Sequence, residues 1–364
     1  MKQSIKIMSE YQLSVIDGMI DWVRVIDKRN IVFFANKKMR EDLGDSIVGK
    51  LCYDVFCTGK KCDNCISNKT LRDGTIHRKE TNLNGKTYMV VSSPMINEKN
   101  EIIGSVEVFR DMTVEKELAR KISEKNRKMS EDIAFSRNMQ MRMLPPKGIY
   151  NSVNIDYLYE SSESLSGDFF DVFNMDSDNV GIYICDVVGH GVTAALLTIF
   201  VRQSLRTIAK GRNNADQIIA DLHKTFLALN LDTEKYFSVF FGIYNKITHE
   251  FQFVNAGHNS IPILLRSGTK EIEMLESRGY PICNIFDSVE YDIKTVKLNE
   301  GDKLFFYTDG ITEARDIFGQ EFGVEKLIKI INSSDSILKE LKSSLSSYSD
   351  VQKDDYAILM AEII

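Results

Sequence analysis

Residues 180–191 read VGIYICDVVGHG: an apolar run is followed by an aspartate, two valines, and a histidine between two glycines. A short run rich in β-branched and aromatic residues is typical of a buried strand. Asp186 therefore lies at the end of a predicted strand. The glycines beyond it permit unusual backbone angles and close backbone approach.

Strand-like blocks and helical patterns alternate through the C-terminal part of the chain. The strand-like blocks include YFSVFFGIYN, HEFQFVNAG, KLFFYTDG and YAILMAEI, with turn residues between them. Helical patterns lie at 190–209, 215–229 and 324–347. Strands in one block with long helices at intervals predict an α+β fold built in layers.

Three further acidic clusters accompany Asp186, and those of Asp309 and Asp354 share its position at the end of an apolar run. Asp168 opens an aromatic run, Asp309 follows the strand-like KLFFY, and Asp354 precedes the strand-like YAILM. Taken singly, each of these aspartates is typical of a turn or a cap. Together, several carboxylates at strand ends need a cation to compensate their charge, and oxygen ligands favour Mg²⁺ or Mn²⁺ over zinc. Two such ions about 3.5–4 Å apart can activate water and hold a phosphoryl group.

The order of the motifs carries a family resemblance. From MQMRMLPP through SGDFFDVF, DVVGHG, FVNAGHNSIPILLR and GDKLFFYTDGITEARD to DDYAILM, residues 139–360 resemble a phosphatase of the sporulation stage-II-E (SpoIIE) type. Such proteins are bacterial relatives of the manganese- or magnesium-dependent (PPM) protein serine/threonine phosphatases. The resemblance implies an αββα sandwich with its metal ions at one end of the two sheets.

The resemblance also implies the roles of individual residues. It assigns Asp168, Asp186, Asp309 and Asp354 to a site for two Mn²⁺ or Mg²⁺ ions, with Asp186 bridging them and the carbonyl of Val187 serving one. Water would attack phosphorus directly, with no covalent phosphoenzyme. The implied substrate is a phosphorylated STAS-type anti-sigma-factor antagonist in a bacterial partner-switching pathway, so that dephosphorylation switches on a sigma factor.

Two histidines and one loop residue stand beside these motifs. His190 has two interpretations, a general acid towards the leaving serine oxygen and a residue that shapes the start of a helix. His258, in NAGHN, is expected to orient a turn. Cys283, in Gly279-Tyr280-Pro281-Ile282-Cys283-Asn284, stands where the family usually has the second glycine of a Gly-x-Pro-Leu-Gly segment, which bears on the shape of that loop.

The N-terminal part resembles a PAS sensor domain. Its strand-like segments are NIVFFA, KTYMVVSS and IIGSVEVFR, and Asp111-Met112-Thr113 resembles the motif that ends such domains. The resemblance implies an antiparallel sheet with flanking helices. A PAS domain regulating the phosphatase is therefore expected.

A helical segment separates the two parts. Residues 113–144 contain no Gly or Pro, and Pro145-Pro146 follows them. Apolar residues form a narrow stripe typical of a coiled-coil seam: Leu118, Ile122, Met129, Ile133 and Met143. We predict a PAS domain at 10–112, a coiled-coil-like linker at 113–147 and a phosphatase domain at 148–364. A homodimer through the PAS domain and linker is expected, and a solvated surface helix is the alternative.

Four cysteines lie close together in the predicted sensor domain, spaced as Cys52-x4-Cys57-x4-Cys62-x2-Cys65. Four thiolates can hold zinc or an iron–sulfur cluster, although this spacing matches no standard zinc ribbon or ferredoxin. Two alternatives stay open: redox-reactive thiols and structural cysteines.

Composition excludes some classes of function. The 364 residues include 46 Lys+Arg and 52 Asp+Glu, a net charge of −6. That balance gives no basic surface for nucleic acid. No apolar run approaches the roughly 20 residues of a membrane helix, and the N-terminus lacks a secretory signal, so a cytoplasmic protein is expected.

The alternative to a phosphatase is a non-catalytic scaffold that binds the STAS partner. A histidine kinase is disfavoured because no glycine-rich nucleotide box follows the helix.

Overall fold

The structure of the protein, a computed structural model, describes residues 11, 13–56, 62–161, 165–334, 336–348 and 355–364. The chain divides into two compact units, Met1–Lys128 and Met129–Ile364. Across those described ranges, none of the helices combines the length and the apolar character that crossing a membrane requires.

The first unit is built on one antiparallel sheet with the strand order β2-β1-β5-β4-β3. Its elements are β1 (Trp22–Asp27), β2 (Val32–Ala35), α1 (Lys37–Leu43), α2 (Cys52–Phe56), α3 (Ile66–Asp73), β3 (His77–Leu83), β4 (Lys86–Ile96) and β5 (Ile102–Asp111). Side chains from the sheet and from α1 and α3 share a core that includes Trp22, Met39, Ile66, Tyr88 and Phe109. The expected antiparallel sheet with flanking helices is confirmed.

A long helix, α4 (Thr113–Met143), begins directly after β5. Asp111 Oδ1 accepts hydrogen bonds from the backbone N–H of Thr113 at 3.0 Å and from its hydroxyl at 2.6 Å. The N–H of Thr87 in β4 also donates to the Thr113 hydroxyl at 2.9 Å. These bonds tie the first residue of the helix to the sheet. The helix lies inside the predicted linker, and the predicted domain limits stay a prediction.

The second unit carries two antiparallel sheets. Its remaining elements are β6 (Gly148–Tyr150), β7 (Val153–Glu160), β8 (Asp168–Asn174), β9 (Asn179–Val187), α5 (Val192–Ile208), α6 (Ala215–Leu227), β10 (Phe237–Asn245), β11 (Glu250–Ala256), β12 (Ile263–Leu265), β13 (Ile272–Met274), β14 (Lys294–Lys297), β15 (Lys303–Tyr307), α7 (Asp309–Thr312), α8 (Gly323–Ser333), α9 (Ile337–Tyr348) and β16 (Tyr356–Ile363). The first sheet has the order β14-β11-β10-β9-β8, and the second has the order β13-β12-β15-β16-β7-β6.

The two sheets pack face to face between two helical layers. Phe240 of the first sheet and Phe306 of the second have ring centroids 5.8 Å apart. Phe306 belongs to a core that also holds buried residues of α5 and α6, whereas its neighbour Phe305 packs in a separate core with α8 and α9. Successive strand residues point to opposite faces, so β15 serves both cores. The predicted αββα sandwich is confirmed.

An ion pair fastens α5 to its sheet. Asp171, fully buried in β8, accepts hydrogen bonds from Arg206 Nε at 2.6 Å and Nη2 at 2.9 Å. The Nε of Arg202 lies 3.3 Å from the same carboxylate. The paired charges offset the cost of burying Asp171 beneath the helix.

One helical pattern differs from the prediction. The segment 324–347 forms two helices, α8 and α9, and not one. Ser334, which ends α8, has the extended backbone angles φ −108° and ψ 136°. Both helices bury apolar faces in the same core, so the apolar periodicity continues across the break and hides it in the sequence.

Candidate active site

The register of the first sheet brings two of the predicted aspartates side by side. Asp168 begins β8 and lies directly opposite Asp186 of β9. Ser238 of β10 is the next residue in the same row, opposite Asp186 on its other side. Directly opposed residues of an antiparallel pair have Cβ atoms about 4.5–5.5 Å apart and share a face. Like charges at this spacing destabilise the sheet unless something compensates them.

Asp168 is in an unfavourable environment for an isolated carboxylate. It is 5% exposed, and its Oδ2 has no hydrogen-bond partner among the described residues. Burial and then the charge of Asp186 raise its pKa well above the usual value, and the charges of Asp355 and Asp309 add to that rise. The hydroxyl of Thr308 acts in the opposite direction. The charged and polar groups that change the pKa of Asp168 therefore come from both sheets.

The second sheet contributes its aspartates from the ends of β15 and β16. Asp309 follows Thr308, which is hydrogen bonded in both directions to Ala357 of β16. A Cβ on Gly310 would lie 1.8 Å from the carbonyl oxygen of Asp355, so only glycine permits this contact. The start of α7 is therefore packed directly against the start of β16.

Asp355 joins the two sheets. Its Oδ2 accepts a hydrogen bond from the N–H of Gly167 at 3.0 Å, across 188 positions of sequence. A Cβ on Gly167 would come within 2.8 Å of the carbonyl oxygen of Val187, the predicted carbonyl ligand. The segment before β8 therefore fits closely between the ends of β9 and β16.

The end of helix α4 also reaches this segment. Gln140 is 2% exposed, and its Nε2 donates to the carbonyl of Ser166 at 2.8 Å and to the hydroxyl of Thr198 at 3.2 Å. Its Oε1 accepts from the N–H of Ser166 at 3.2 Å. One side chain thus satisfies both backbone groups of a buried residue two positions before Asp168.

The predicted site residues are not all described. Asp168, Asp186 and Asp309 lie at the adjoining ends of the two sheets, whereas Asp354 falls outside the described residues. His190 is exposed beyond β9. Within the described ranges, no group of three or more His, Cys, Asp or Glu side chains is arranged to hold a metal ion. The full metal-ligand set therefore stays a prediction.

The chemistry of the donors nevertheless fits a hard cation. The side chains of the two opposed aspartates offer only oxygen ligands. Oδ2 of Asp168 is buried without a hydrogen-bond partner among the described residues. The nearby carboxylates of Asp355 and Asp309 make its ionised form still less favourable. Carboxylate oxygens are the ligands that Mg²⁺ and Mn²⁺ prefer. A bound cation would remove the repulsion that otherwise acts against this arrangement.

Several residues of this region were not predicted from sequence. Asp355 follows Asp354 directly in DDYAILM, and this pair of adjacent aspartates is the signal that the sequence offers. Gln140 lies within MQMRMLPP, but nothing in the sequence indicates its contact with Ser166. Ser238 and Thr308 carried no signal of their own, because their importance depends on the strand register.

The first unit gathers cysteines around a cavity of about 70 Å³. Cys52, Cys62 and Cys65 line it together with a buried ion pair, in which Arg24 Nε lies 2.6 Å from Glu107 Oε2. Burial raises the pKa of the Cys52 thiol to about 12. Cys57 lies outside the described residues, so the predicted set of four cysteines is described only in part.

Comparison with known proteins assigns both parts of the chain. The family described as "Stage II sporulation protein E (SpoIIE)" matches residues 176–364. This protein is a member of the SpoIIE family. A PAS domain matches residues 17–114, so the SpoIIE region follows an N-terminal PAS domain, as the sequence predicted.

Two curated relatives resemble this SpoIIE-family protein. RsbU of Bacillus subtilis, named a phosphoserine phosphatase, is 24% identical over 235 residues, which cover 63% of this chain and 69% of RsbU. IcfG of Synechocystis is 28% identical over 237 residues, which cover 56% of this chain and 37% of IcfG. The match to IcfG thus leaves most of that relative's length uncovered.

A solved structure supports the fold of this SpoIIE-family chain. The SiaA-PP2C domain of Pseudomonas aeruginosa aligns with a TM-score of 0.56 at 20% identity, covering 66% of this chain and 99% of that domain. At that identity the likeness establishes the fold and not the activity.

Proposed function

We propose that this protein is a metal-dependent protein serine/threonine phosphatase that acts in the cytoplasm. The observation that carries the proposal is the register of β8 on β9, which sets buried Asp168 directly opposite Asp186. Membership of the SpoIIE family and the name of RsbU, a phosphoserine phosphatase, support the same activity.

In this proposal Asp168, Asp186, Asp309 and Asp354, with the carbonyl of Val187, hold two Mn²⁺ or Mg²⁺ ions. Bound divalent ions at such a site stabilise charge on a phosphoryl group and activate water at neutral pH. The chain supplies the positions of the ligands. Strand register fixes the first two aspartates, and close packing of α7 on β16 fixes Asp309.

The experiment uses the purified full-length chain with p-nitrophenyl phosphate and with a serine-phosphorylated protein. We expect Mn²⁺-stimulated release of phosphate, and a loss of at least about 100-fold in Asp186→Asn or Asp309→Asn, the order of magnitude for removing a charge-stabilising group. Asp178→Asn is the matched control, because Asp178 lies in the turn between the same two strands and its side chain is 45% exposed. Unchanged turnover in either site variant would contradict the assignment.

The proposed substrate is a phosphorylated STAS-type anti-sigma-factor antagonist, on the family resemblance. The competing function is a scaffold that binds this partner without hydrolysis. A phosphorylated STAS protein mixed with the chain and Mn²⁺ separates the two. Loss of phosphate supports the phosphatase, whereas stable binding with the phosphate retained, together with inactivity on p-nitrophenyl phosphate, supports the scaffold.

Regulation is proposed to pass through a homodimer formed by the PAS domain and α4. Three apolar residues of the predicted seam are exposed on this helix: Leu118 at 53%, Ile122 at 58% and Met129 at 63%. Burying such a stripe against a second copy would remove apolar area from water. Light scattering should therefore give a dimer for the full-length chain and a lower mass for Ile122→Glu. Lys121→Glu, a charge change at the exposed neighbouring position, should leave the dimer intact, and a monomeric wild type would refute the proposal.

The cysteines are proposed to bind an iron–sulfur cluster or zinc. Support comes from the position of Cys52, Cys62 and Cys65 around one cavity, with Cys57 between them in sequence. Protein purified without oxygen should be brown and contain iron and sulfide, or be colourless and contain zinc. Protein with neither would overturn metal binding and leave the redox-thiol and structural alternatives.

A further inference from the structure

His258 lies between the two sheets, next to the site but outside the predicted ligand set. The side chain is buried, with the residue 4% exposed. Its Nε2 is 3.0 Å from the carbonyl oxygen of Tyr307 in the second sheet, and its Nδ1 is 3.2 Å from the hydroxyl of Ser238 in the first. One imidazole ring therefore spans the gap between the sheets.

The partners of the ring fix its protons. A carbonyl oxygen can only accept, so Nε2 carries the hydrogen that is donated to Tyr307. Nδ1 of the neutral ring is then an acceptor, and the Ser238 hydroxyl donates to it. Burial lowers the pKa of His258, which favours the same neutral form. Both ring nitrogens are engaged, each with a different sheet.

The two residues that hold the ring, Ser238 and Tyr307, each lie close in the fold or in sequence to one of the predicted ligands. Ser238 is directly opposite Asp186 in the β9–β10 pair. Tyr307 is the last residue of β15, two positions before Asp309. The backbone of His258 is itself held at both ends, because its N–H donates to Asn255 Oδ1 at 2.7 Å and its carbonyl accepts from Asn255 Nδ2 at 2.9 Å.

We propose that His258 is a positioning residue whose neutral ring sets the separation of Asp186 and Asp309, and thereby the affinity of the site for divalent cations. The inference rests on the proposed function, since it assumes that these aspartates bind the cations. It assigns His258 more than the turn-orienting role expected from sequence. The ring contacts neither substrate nor cation in this proposal and acts through the two strands.

The primary test is calorimetric binding of Mn²⁺ to the full-length protein, with Mn²⁺-dependent phosphatase activity as a second readout. His258→Leu should raise the Mn²⁺ dissociation constant about 10-fold, the lower end for residues that support metal ligands. Turnover at saturating Mn²⁺ should fall much less. His258→Gln should restore most of the affinity, because a side-chain amide can donate to the Tyr307 carbonyl.

A second buried histidine provides the matched control. Nε2 of His223, in α6, lies 2.9 Å from the carbonyl oxygen of Cys283, so this ring is held by neither of the two anchors of His258. His223→Leu should lower the stability of the fold and leave Mn²⁺ affinity unchanged. If His258→Leu does not fold, Ser238→Ala, which removes only one anchor, should weaken Mn²⁺ binding by a smaller factor.

The outcomes separate this inference from the phosphatase proposal. Wild-type Mn²⁺ affinity in the His258 and Ser238 variants would overturn the inference while leaving the phosphatase intact. Equal weakening in the His223 and His258 variants would also overturn it, because general destabilisation would then explain both. A wild-type chain that binds no Mn²⁺ would contradict the proposed function itself.

Discussion

Replacing Gln140 with leucine tests how far the end of α4 supports the site. Gln140→Leu introduces an apolar side chain of similar size and removes the three hydrogen bonds to Ser166 and Thr198. Ser166 is fully buried, so its N–H and carbonyl lose their partner without gaining water. Thr198 keeps its own bond to the carbonyl of Ala195 at 2.7 Å.

The magnitude follows from the two orphaned backbone groups. Each buried polar group left without a partner costs about 1–3 kcal/mol, so the free energy of unfolding should fall by roughly 2–6 kcal/mol. For a domain of about 150–250 residues, each kcal/mol lowers the melting temperature by about 2–4 °C. A fall of roughly 10 °C is therefore expected for the second unit.

The assay uses the protein's single tryptophan, Trp22, as an internal reference. Trp22 lies in the core of the first unit, so its fluorescence reports the unfolding of that unit. We expect Gln140→Leu to shift the unfolding transition followed by circular dichroism and to leave the Trp22 transition unchanged. Asn138→Leu, at an exposed position of the same helix, is the control. A loss below about 1 kcal/mol, or an equal loss in the control, would refute the reasoning.

Three further predictions concern the same unit. In metal-free protein, Asp168→Asn should raise the free energy of unfolding by about 1 kcal/mol, because it removes a like charge opposite Asp186, and it should abolish stabilisation by Mn²⁺; melting in EDTA and in Mn²⁺ checks both effects. Asp171→Ala should lower the free energy of unfolding measured in urea by about 2 kcal/mol. This loss is smaller than for a fully buried ion pair, because the side chain of Arg206 is 34% exposed and can reach water. Burial lowers the pKa of His258 below 6.5, so the unfolded chain binds a proton on this ring more readily than the folded chain does. The free energy of unfolding should therefore fall as the pH drops below about 6.5, and it should fall more steeply than in His258→Gln. If the wild-type protein had equal urea midpoints at pH 7.5 and pH 5.5, the predicted loss of stability at the lower pH would be contradicted.

The layers of the fold, and the three candidate site residues that the structure describes, could be picked out from the sequence because their signals are local. Asp168, Asp186 and Asp309 each adjoin an apolar strand, and such a pattern is visible within ten residues. Strand β3 was not predicted because its residues alternate between half-buried and exposed, as on an edge strand, and most of them are polar. The break between α8 and α9 was missed because packing in one core preserves the apolar period across it.

The contacts that organise the site could not be predicted from local pattern. Gln140 reaches Ser166 across 26 positions, and His258 reaches Tyr307 across 49. Neither residue differs in type from an ordinary surface glutamine or turn histidine. Their roles depend on which strands become neighbours and in which register, and only the assembled sheets determine that.

Strand β15 contributes side chains to both cores of the second unit, so the two cores can open in separate steps. Release of α8 and α9 would uncover Phe305 and Tyr307 while Leu304 and Phe306 stay covered by the opposite sheet. Sub-global openings of this kind have lower free energies than complete unfolding. In hydrogen exchange the outer helices are therefore expected to open before the inner interface, which carries Asp168 and Asp186. Asp309 is more sensitive to such an opening than Asp168 and Asp186, because Ile311 of its own helix packs in the same core as α8 and α9.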